Sequence, residues 1–174
     1  FKDGAGNYAS DTSQTSNTLY LTNAPPKFSS TAINSNNTSI TIIFNEGVTA
    51  DASGTELSAS DFTLLVSGGT AVLSSVTPSA ISKTDSKTYV LSTSYSTQAN
   101  GTEILTVKPI DSVLFDLKGI QIVLSALSSN TTQLNDQAGP SITGATLDSK
   151  NRYVDITFSE GVYATASPTS AVTS

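Results

Sequence analysis

The sequence predicts an all-β fold, a β-sandwich that repeats along the chain, and three observations lead to this prediction. Apolar residues alternate with polar ones, as in Ile40, Ile42 and Phe44, and this period of two is typical of a strand with one buried face. Short polar clusters such as Ser67–Gly69 separate these runs and favour turns. A stretch of sequence also recurs 114 positions further along the chain.

Strands are predicted wherever the alternation runs between two turn-forming clusters. Eight short strands within about 110 residues, with no helical periodicity between them, are typical of a β-sandwich. A single helical turn is expected at Ser58–Asp61. The predicted strands lie near residues 27–33, 38–44, 62–66, 70–77, 87–92, 103–108, 120–126 and 131–135.

The recurring stretch predicts tandem copies of one unit. Pro26–Ala50 and Pro140–Ala164 are identical at nine of 25 positions, including Phe44 and Phe158. An earlier block matches with an offset of 113, and the change of offset falls in a proline-bearing linker, where an insertion costs little. We therefore expect the last strands of a preceding copy in residues 1–24, a complete copy in 25–138, and the first strands of a following copy in 139–174.

The same alternation predicts which side chains are buried in each copy. A sandwich buries the apolar face of each strand against the opposing sheet. The side chains expected to face a core are Ile40, Ile42 and Phe44 in the complete copy, and Val154, Ile156 and Phe158 in the following one.

The composition narrows the function mainly through residue types that are missing. The chain has no His, Cys, Met or Trp, so it lacks the commonest general base and metal ligand as well as thiol chemistry. Its eight Lys and Arg residues are dispersed and its formal net charge is −6, whereas nucleic-acid binding needs clustered basic residues. No apolar stretch approaches the roughly 20 residues of a membrane span. The sequence predicts no enzyme, no nucleic-acid partner and no membrane span in this segment.

Paired carboxylates would suit a glycosidase, which is the one catalytic alternative. Such a site also needs a sugar-binding cleft, and aromatic side chains usually line it. The chain has no Trp and only six Tyr and six Phe, and several of these alternate with polar neighbours as core residues do. The catalytic interpretation is therefore disfavoured.

Residues near the end of the repeated stretch resemble a known family. Phe44–Val48 and Phe158–Val162 are similar to the Phe-Ser-Glu-x-Val strand of bacterial immunoglobulin-like surface repeats. Asp3–Asn7 resembles the Asp-x-Ala-Gly-Asn turn of those repeats, and Asp116–Ile120 departs from it because Ile replaces the Asn. The resemblance implies immunoglobulin-like β-sandwich repeats in tandem, located outside the cell at its surface.

The resemblance also implies a function. Such repeats build very large secreted adhesins, including the gliding-motility adhesins of Bacteroidetes-like bacteria. The chain is then part of a structural stalk that extends a binding end from the cell. The partners of the chain are the adjacent repeats, whereas the whole adhesin would bind surface glycans or other cells. The alternative is a non-catalytic glycan-binding or spacer module of a secreted polysaccharide-active enzyme.

Acidic side chains near the junctions between copies are the candidate metal ligands. Ca²⁺ takes six to eight oxygen ligands, many of them carboxylates, and an ion at a junction would stiffen a string of copies. Alternatively, these carboxylates accept hydrogen bonds from backbone N–H groups in their own loops. The candidates for Ca²⁺ are Glu46, Asp51, Asp61, Asp136 and Glu160.

Short sequence patterns also suggest sites of glycosylation. Asp111–Val113 resembles the Asp-Ser/Thr-apolar site of O-glycosylation in secreted proteins of Bacteroidetes-type bacteria, which makes Ser112 the candidate residue. Asn36, Asn100 and Asn130 fall in patterns for N-glycosylation. The preference of Asn for turns explains those three equally well.

Overall fold

The computed structural model describes residues 4–7 and 23–163, and strands dominate this part of the chain. Residues 1–3, 8–22 and 164–174, which carry parts of the two predicted flanking copies, lie outside the described residues. Short 3-10 helices cover Ala59–Asp61 and Leu124–Ala126. The strands are β1 (Phe28–Ile33), β2 (Ser39–Phe44), β3 (Val48–Thr49), β4 (Phe62–Ser67), β5 (Val72–Leu73), β6 (Ile81–Lys83), β7 (Thr88–Ser92), β8 (Tyr95–Thr97), β9 (Ile104–Pro109), β10 (Phe115–Asp116), β11 (Thr131–Gln133), β12 (Ile142–Leu147) and β13 (Val154–Phe158).

Antiparallel pairing joins these strands into two larger sheets and three isolated pairs. One sheet has the order β1-β2-β7-β6 and the other has the order β11-β9-β4. The pairs are β3 with β10, β5 with β8, and β12 with β13. The prediction of an all-β fold is therefore confirmed.

A single hydrophobic core takes side chains from both larger sheets. Ile40, Ile42 and Phe44 are at most 1% exposed, whereas Ile43 between them is 37% exposed. The ring of Phe44 packs against that of Phe28, with 4.8 Å between the centroids. The predicted inward face of β2 is confirmed, because successive side chains of a strand point to opposite faces of the sheet.

The longer predicted strands are present, and the differences lie in short segments. Strands β1, β2, β4, β7, β9 and β11 begin and end within two residues of prediction, and a helical turn lies at Ala59–Asp61. The strand predicted at 120–126 is wrong, because a 3-10 helix occupies its end, and Ile122 and Leu124 contact the core from outside a strand. The strand predicted at 70–77 shortens to β5. Strands β3, β6, β8 and β10 have two or three residues, too few for an alternation to show in sequence.

The hairpin β12–β13 (the second hairpin) reproduces the hairpin β1–β2 (the first hairpin) residue by residue. In the first hairpin Phe28 pairs with Phe44, and a bulge then shifts the register before Ser30. In the second, Ile142 pairs with Phe158, and the bulge again follows before the next paired residue. Every aligned pair of the second hairpin lies 114 positions after its counterpart. The offset of 114 residues found in the sequence thus also relates the paired residues of the two hairpins.

The connecting turns of the two hairpins share one hydrogen-bond pattern. In the first turn the backbone N–H groups of Asn37 and Ser39 donate to the carbonyl and side-chain oxygens of Asn34. Asp148 accepts the equivalent bonds in the second turn, including one from the N–H of Asn151 to its carbonyl at 2.9 Å. Asn37 and Asn151 both have a positive φ, 58° and 56°, and Asn tolerates this left-handed conformation better than most residues.

The two hairpins differ in what covers their apolar face. Val154, Ile156 and Phe158 are 54%, 51% and 37% exposed, although their counterparts on β2 are buried. The prediction that these three side chains face a core does not hold in this structure. No strand of the described part of the chain pairs with β13 except β12, so the outer edge of β13 is unpaired there, and these exposures show that its apolar face is largely uncovered.

Candidate functional site

The five acids predicted as metal ligands are spread over four places in the fold. Asp51 lies in the loop after β3, and Asp61 is the last residue of the 3-10 helix that precedes β4. Glu46 follows β2. Asp136 and Glu160 line one cleft where the second hairpin joins the part of the chain that carries the hydrophobic core (residues 25–138, the core unit). The five acids therefore do not form one cluster, although three of them lie close together in the sequence.

Asp51 uses its carboxylate to close its own loop. The N–H and hydroxyl of Ser53 donate to Oδ1 at 2.9 and 2.7 Å, and the hydroxyl of Thr55 donates to Oδ2 at 2.7 Å. The hydrogen bond from the Thr55 side chain, followed by that from Ser53, lowers the pKa of Asp51 well below its usual range. This arrangement matches the alternative considered for these acids, a carboxylate that caps backbone donors.

Asp61 also caps a local turn. The N–H of Ser58 donates to Asp61 Oδ2 at 2.7 Å, and the Ser58 hydroxyl lies 3.0 Å from the same oxygen. These bonds close a capping box around the 3-10 helix that precedes β4, an arrangement that satisfies donors at the start of a helical turn. Asp61 therefore positions the entry into β4.

Glu46 lines a cleft of about 190 Å³ together with Asn23 and Asp116. The side-chain amide of Asn45 donates to Glu46 Oε1 at 3.1 Å. Asp116 is 2% exposed, and its Oδ1 accepts the N–H groups of Lys118 and Ile120, each at 2.8 Å. Its other oxygen accepts the amide of Asn23. The Asp116 carboxylate is thus engaged in holding its own turn and the incoming linker.

Asp136 and Glu160 share a second cleft, of about 270 Å³, at the base of the second hairpin. Asp136 Oδ1 accepts the N–H of Ala138 at 3.0 Å, and its backbone bridges to Asn100. Hydroxyl groups of Thr70, Thr102, Ser141 and Ser159 complete the polar lining. This is the only place where the described structure brings two of the five predicted acids together.

The donor set of this cleft is thin for a calcium ion. Calcium sites in proteins take six to eight oxygens, several of them carboxylates. Within residues 4–7 and 23–163, no three Asp or Glu side chains converge in a way that could hold a metal ion. Any ion held there would depend on hydroxyl and carbonyl oxygens beside Asp136 and Glu160, and calcium stays a prediction.

Calcium binding at the Asp136–Glu160 cleft is expected to raise the melting midpoint at millimolar Ca²⁺, because a ligand that binds only the folded state stabilises it. Asp136→Asn should remove that rise. Asp61→Asn is the matched control: it lowers the midpoint through the lost cap but keeps the calcium response. Thermal melting of each variant with Ca²⁺ and with chelator measures these responses. If the unsubstituted chain has the same midpoint under the two conditions, Asp136 and Glu160 are ordinary surface acids.

Ser112, the candidate glycosylation residue, lies in an exposed turn. Its φ is 65°, and Leu114, two residues on, has a φ of 71°. Ser112 and Asp111 are exposed while Leu114 is buried, so the turn holds the Ser112 hydroxyl at the surface next to a buried anchor. Its glycosylation stays a prediction.

The structure adds a charged group that the sequence interpretation missed, the fully buried carboxylate of Glu103. Oε1 accepts the N–H groups of Thr70 at 2.5 Å and Ala71 at 2.9 Å, and both oxygens lie 3.1 Å from the N–H of Asn100. The carboxylate thereby joins the loop before β5 to the loop before β9. Gly69 packs directly on it with a φ of 52°, and any Cβ there would overlap the carboxylate.

Two opposing effects act on the pKa of Glu103. Burial raises the pKa, because it disfavours the charged form. The backbone N–H groups of Ala71, Asn100 and Thr70 outweigh burial and lower the pKa from 4.5 to about 2. The side chain is therefore ionised at neutral pH and acts as a fixed hydrogen-bond acceptor.

A pattern in the sequence could have revealed this residue. Glu103 stands two positions before Leu105 and four before Val107, and both of these are fully buried. A period of two therefore places the Glu103 carboxylate on the inward face of β9. A charge on that face needs its own set of partners, and Thr70 and Ala71, which directly follow the turn at Ser67–Gly69, supply two of them.

Two further findings concern the chain as a whole. None of the helices in the described residues is long and apolar enough to cross a membrane. No family model, curated protein or solved structure matches this chain.

Proposed function

We propose that this chain is a structural stalk segment of a large secreted bacterial adhesin, built from immunoglobulin-like β-sandwich copies joined in tandem. In this proposal each copy adds length, and a binding end elsewhere in the adhesin contacts surface glycans or other cells. The chain itself then performs no chemistry. It acts outside the cell, and gliding motility is one process that such an adhesin would serve.

The observation that carries the proposal is the structural match between the two hairpins. They share the strand register, the bulge position, the turn hydrogen bonds and the left-handed Asn, all at one offset of 114 residues. Chance resemblance between two Ser- and Thr-rich segments would not reproduce a bulge at the same place. A unit that recurs in this way is typical of arrays in which each copy contacts its neighbours.

The connection between the core unit and the second hairpin also supports a stalk. The N–H groups of Gln137 and Ala138 both donate to the carbonyl of Ala99 at 2.8 Å. The side-chain amide of Gln137 donates to the carbonyl of Ser35 at 3.0 Å. These bonds fasten the linker to the core unit as far as Ala138, and a stalk needs such short, fastened joints to keep its length under load.

Surface labelling of intact cells tests the proposed function. Antibodies raised against the chain should label the outside of the source cells, and brief protease treatment should remove the label. In a blot, the antigen should migrate far above the 17.9 kDa of this chain, because many copies are expected in one polypeptide. An antigen that stays inside protease-treated cells, or that migrates near 17.9 kDa, would contradict the stalk.

The same experiment distinguishes the stalk from the alternative, a module of a secreted polysaccharide-active enzyme. A spacer or glycan-binding module of such an enzyme is expected in the medium, in a band that also carries glycan-degrading activity. A stalk is expected in the cell-surface fraction, without that activity in the same band.

A further inference from the structure

We propose that the free edge and apolar face of the second hairpin form a docking surface for a β6–β7 hairpin of the same repeat type. The incoming β7-type strand would add antiparallel to β13, as β7 adds to β2. This inference rests on the tandem-copy part of the proposed function and names the segment that completes the open copy. The apolar face consists of Ile142, Leu147, Val154, Ile156 and Phe158, all 37–63% exposed.

The first hairpin shows what such a surface binds. Strand β7 pairs with β2 from Ser39 opposite Ser92 to Ile43 opposite Thr88, and β6 lies on the outer side of β7. In this register Ile42 lies opposite Tyr89, which is 1% exposed. The apolar residues of β2 are therefore flanked, on the same face of the sheet, by the alternating apolar side chains of β7.

Hydrogen bonds at both ends of β7 fix its position along β2. At one end, the N–H of Phe44 donates to the carbonyl of Lys87 at 2.9 Å. At the other end, the hydroxyl of Thr93 donates to the carbonyl of Asn37 at 2.6 Å, and its N–H donates to the carbonyl of Thr38 at 2.9 Å. The left-handed Asn at the hairpin turn thus receives the end of β7.

The second hairpin offers the same features in the same places. Phe158 stands where Phe44 stands, and Asn151 has the left-handed conformation of Asn37. With the register carried over, Val154 would lie opposite a Leu91-type residue. Ile156 would lie opposite a Tyr89-type aromatic residue.

The exposed state of this surface indicates that it is built to be covered. An unpaired strand edge presents backbone donors and acceptors to any extended segment, and strand addition is a common mode of peptide recognition. A clustered apolar face on one side of a two-stranded hairpin marks an interaction site. An unrelated segment would lack the Tyr and Leu at alternate positions and the Thr at the turn end, so the repeat's own β6–β7 segment is the occupant that fits.

A binding experiment with the full 174-residue chain tests the proposal. The probe is a fluorescently labelled synthetic peptide with the sequence of residues 79–93, which contains β6, β7 and Thr93. We expect saturable binding by fluorescence anisotropy and slower backbone hydrogen exchange at Val154–Phe158. A peptide with Tyr89→Ser and Leu91→Ser should bind at least about tenfold more weakly, because it keeps the backbone but loses the buried side chains.

Two substitutions in the chain show where the peptide binds. Ile156→Asp places a charge on the apolar face and should remove binding. Thr157→Asp places the same charge on the opposite face of β13 and should leave the affinity within about threefold. Because both positions are exposed in the free chain, hydrogen exchange at β12 verifies that each variant keeps the hairpin.

Three results would overturn the docking surface. They are no saturable binding at millimolar peptide, equal binding of the doubly substituted peptide, and binding that survives Ile156→Asp. Cell labelling is independent of all three. An antigen that labels the cell surface while the peptide fails to bind would overturn docking alone, whereas peptide binding with an intracellular antigen would overturn the adhesin stalk alone.

Discussion

Replacing Phe44 by alanine should lower the free energy of unfolding by about 3–5 kcal/mol, the usual loss for a buried Phe. The ring is 1% exposed and lies between Phe28 and Tyr89, with centroid distances of 4.8 and 6.2 Å. Removing it would leave a cavity that the rigid pairing of β2 with β1 and β7 prevents from collapsing. Urea denaturation followed by circular dichroism measures the change.

The second hairpin supplies the control for this prediction. Phe158 occupies the equivalent position in the strand register, opposite Ile142 as Phe44 is opposite Phe28, but it is 37% exposed. Phe158→Ala is therefore expected to cost less than about 1 kcal/mol, as for other partly exposed positions. Equal losses at the two positions would mean that the second hairpin is covered in solution, and a small loss at Phe44 would contradict the core described above.

Replacing Glu103 by alanine should cost about 3 kcal/mol, because it removes the buried acceptor that the N–H groups of Thr70, Ala71 and Asn100 share, and hydrogen bonds to a charged group contribute about 1.5–3 kcal/mol each. Glu103→Gln keeps the shape and one acceptor oxygen, and should cost less than the alanine variant. Glu56→Gln is the control, since Glu56 is exposed and pairs only with Lys83 at the surface. That control should barely change stability.

Glu103 also predicts a dependence of stability on pH. Its pKa is about 2 in the folded state and 4.5 in the reference state. A lowered pKa contributes stability above the unfolded value, and this contribution is lost as the pH falls from about 4.5 to 2. The difference in unfolding free energy between the unsubstituted chain and Glu103→Gln should therefore shrink over that range. A difference that stays constant from pH 6 to pH 2 would contradict the assigned pKa.

The sequence alone predicted the strands whose apolar and polar residues alternate regularly, and the hairpin that recurs along the chain. Alternation over five or six residues located β2 and β9, and its inward face on β2 is confirmed. The recurring stretch also anticipated that a second hairpin would form at an offset of 114 residues. Each of these signals extends over many positions, so a local exception does not mask it.

Other features depend on contacts that no local pattern encodes. The segment at 120–126 has strand-like composition, but its end forms a 3-10 helix, and its contacts with the core come from Ile122 and Leu124. Asp51 and Asp61 are neighbours in sequence but lie apart, because each carboxylate accepts hydrogen bonds from its own loop or helical turn. Asp136 and Glu160, far apart in sequence, share a cleft because β13 runs antiparallel to β12 and so returns Glu160 to the junction where β12 begins.

The match between the two hairpins has a consequence for folding. While the chain folds, β7 can pair with β2 or, in the wrong place, with β13, which presents the same register. Chain length hardly discriminates between them, because a connecting loop about one and a half times as long changes the closure entropy by less than about 0.5 kcal/mol. Side chains must discriminate instead: β2 places Thr41 opposite Val90, whereas β13 would place Asp155 there. Divergence between neighbouring copies at such positions therefore favours the pairing of β7 with β2 over its pairing with β13 when the two compete within one chain.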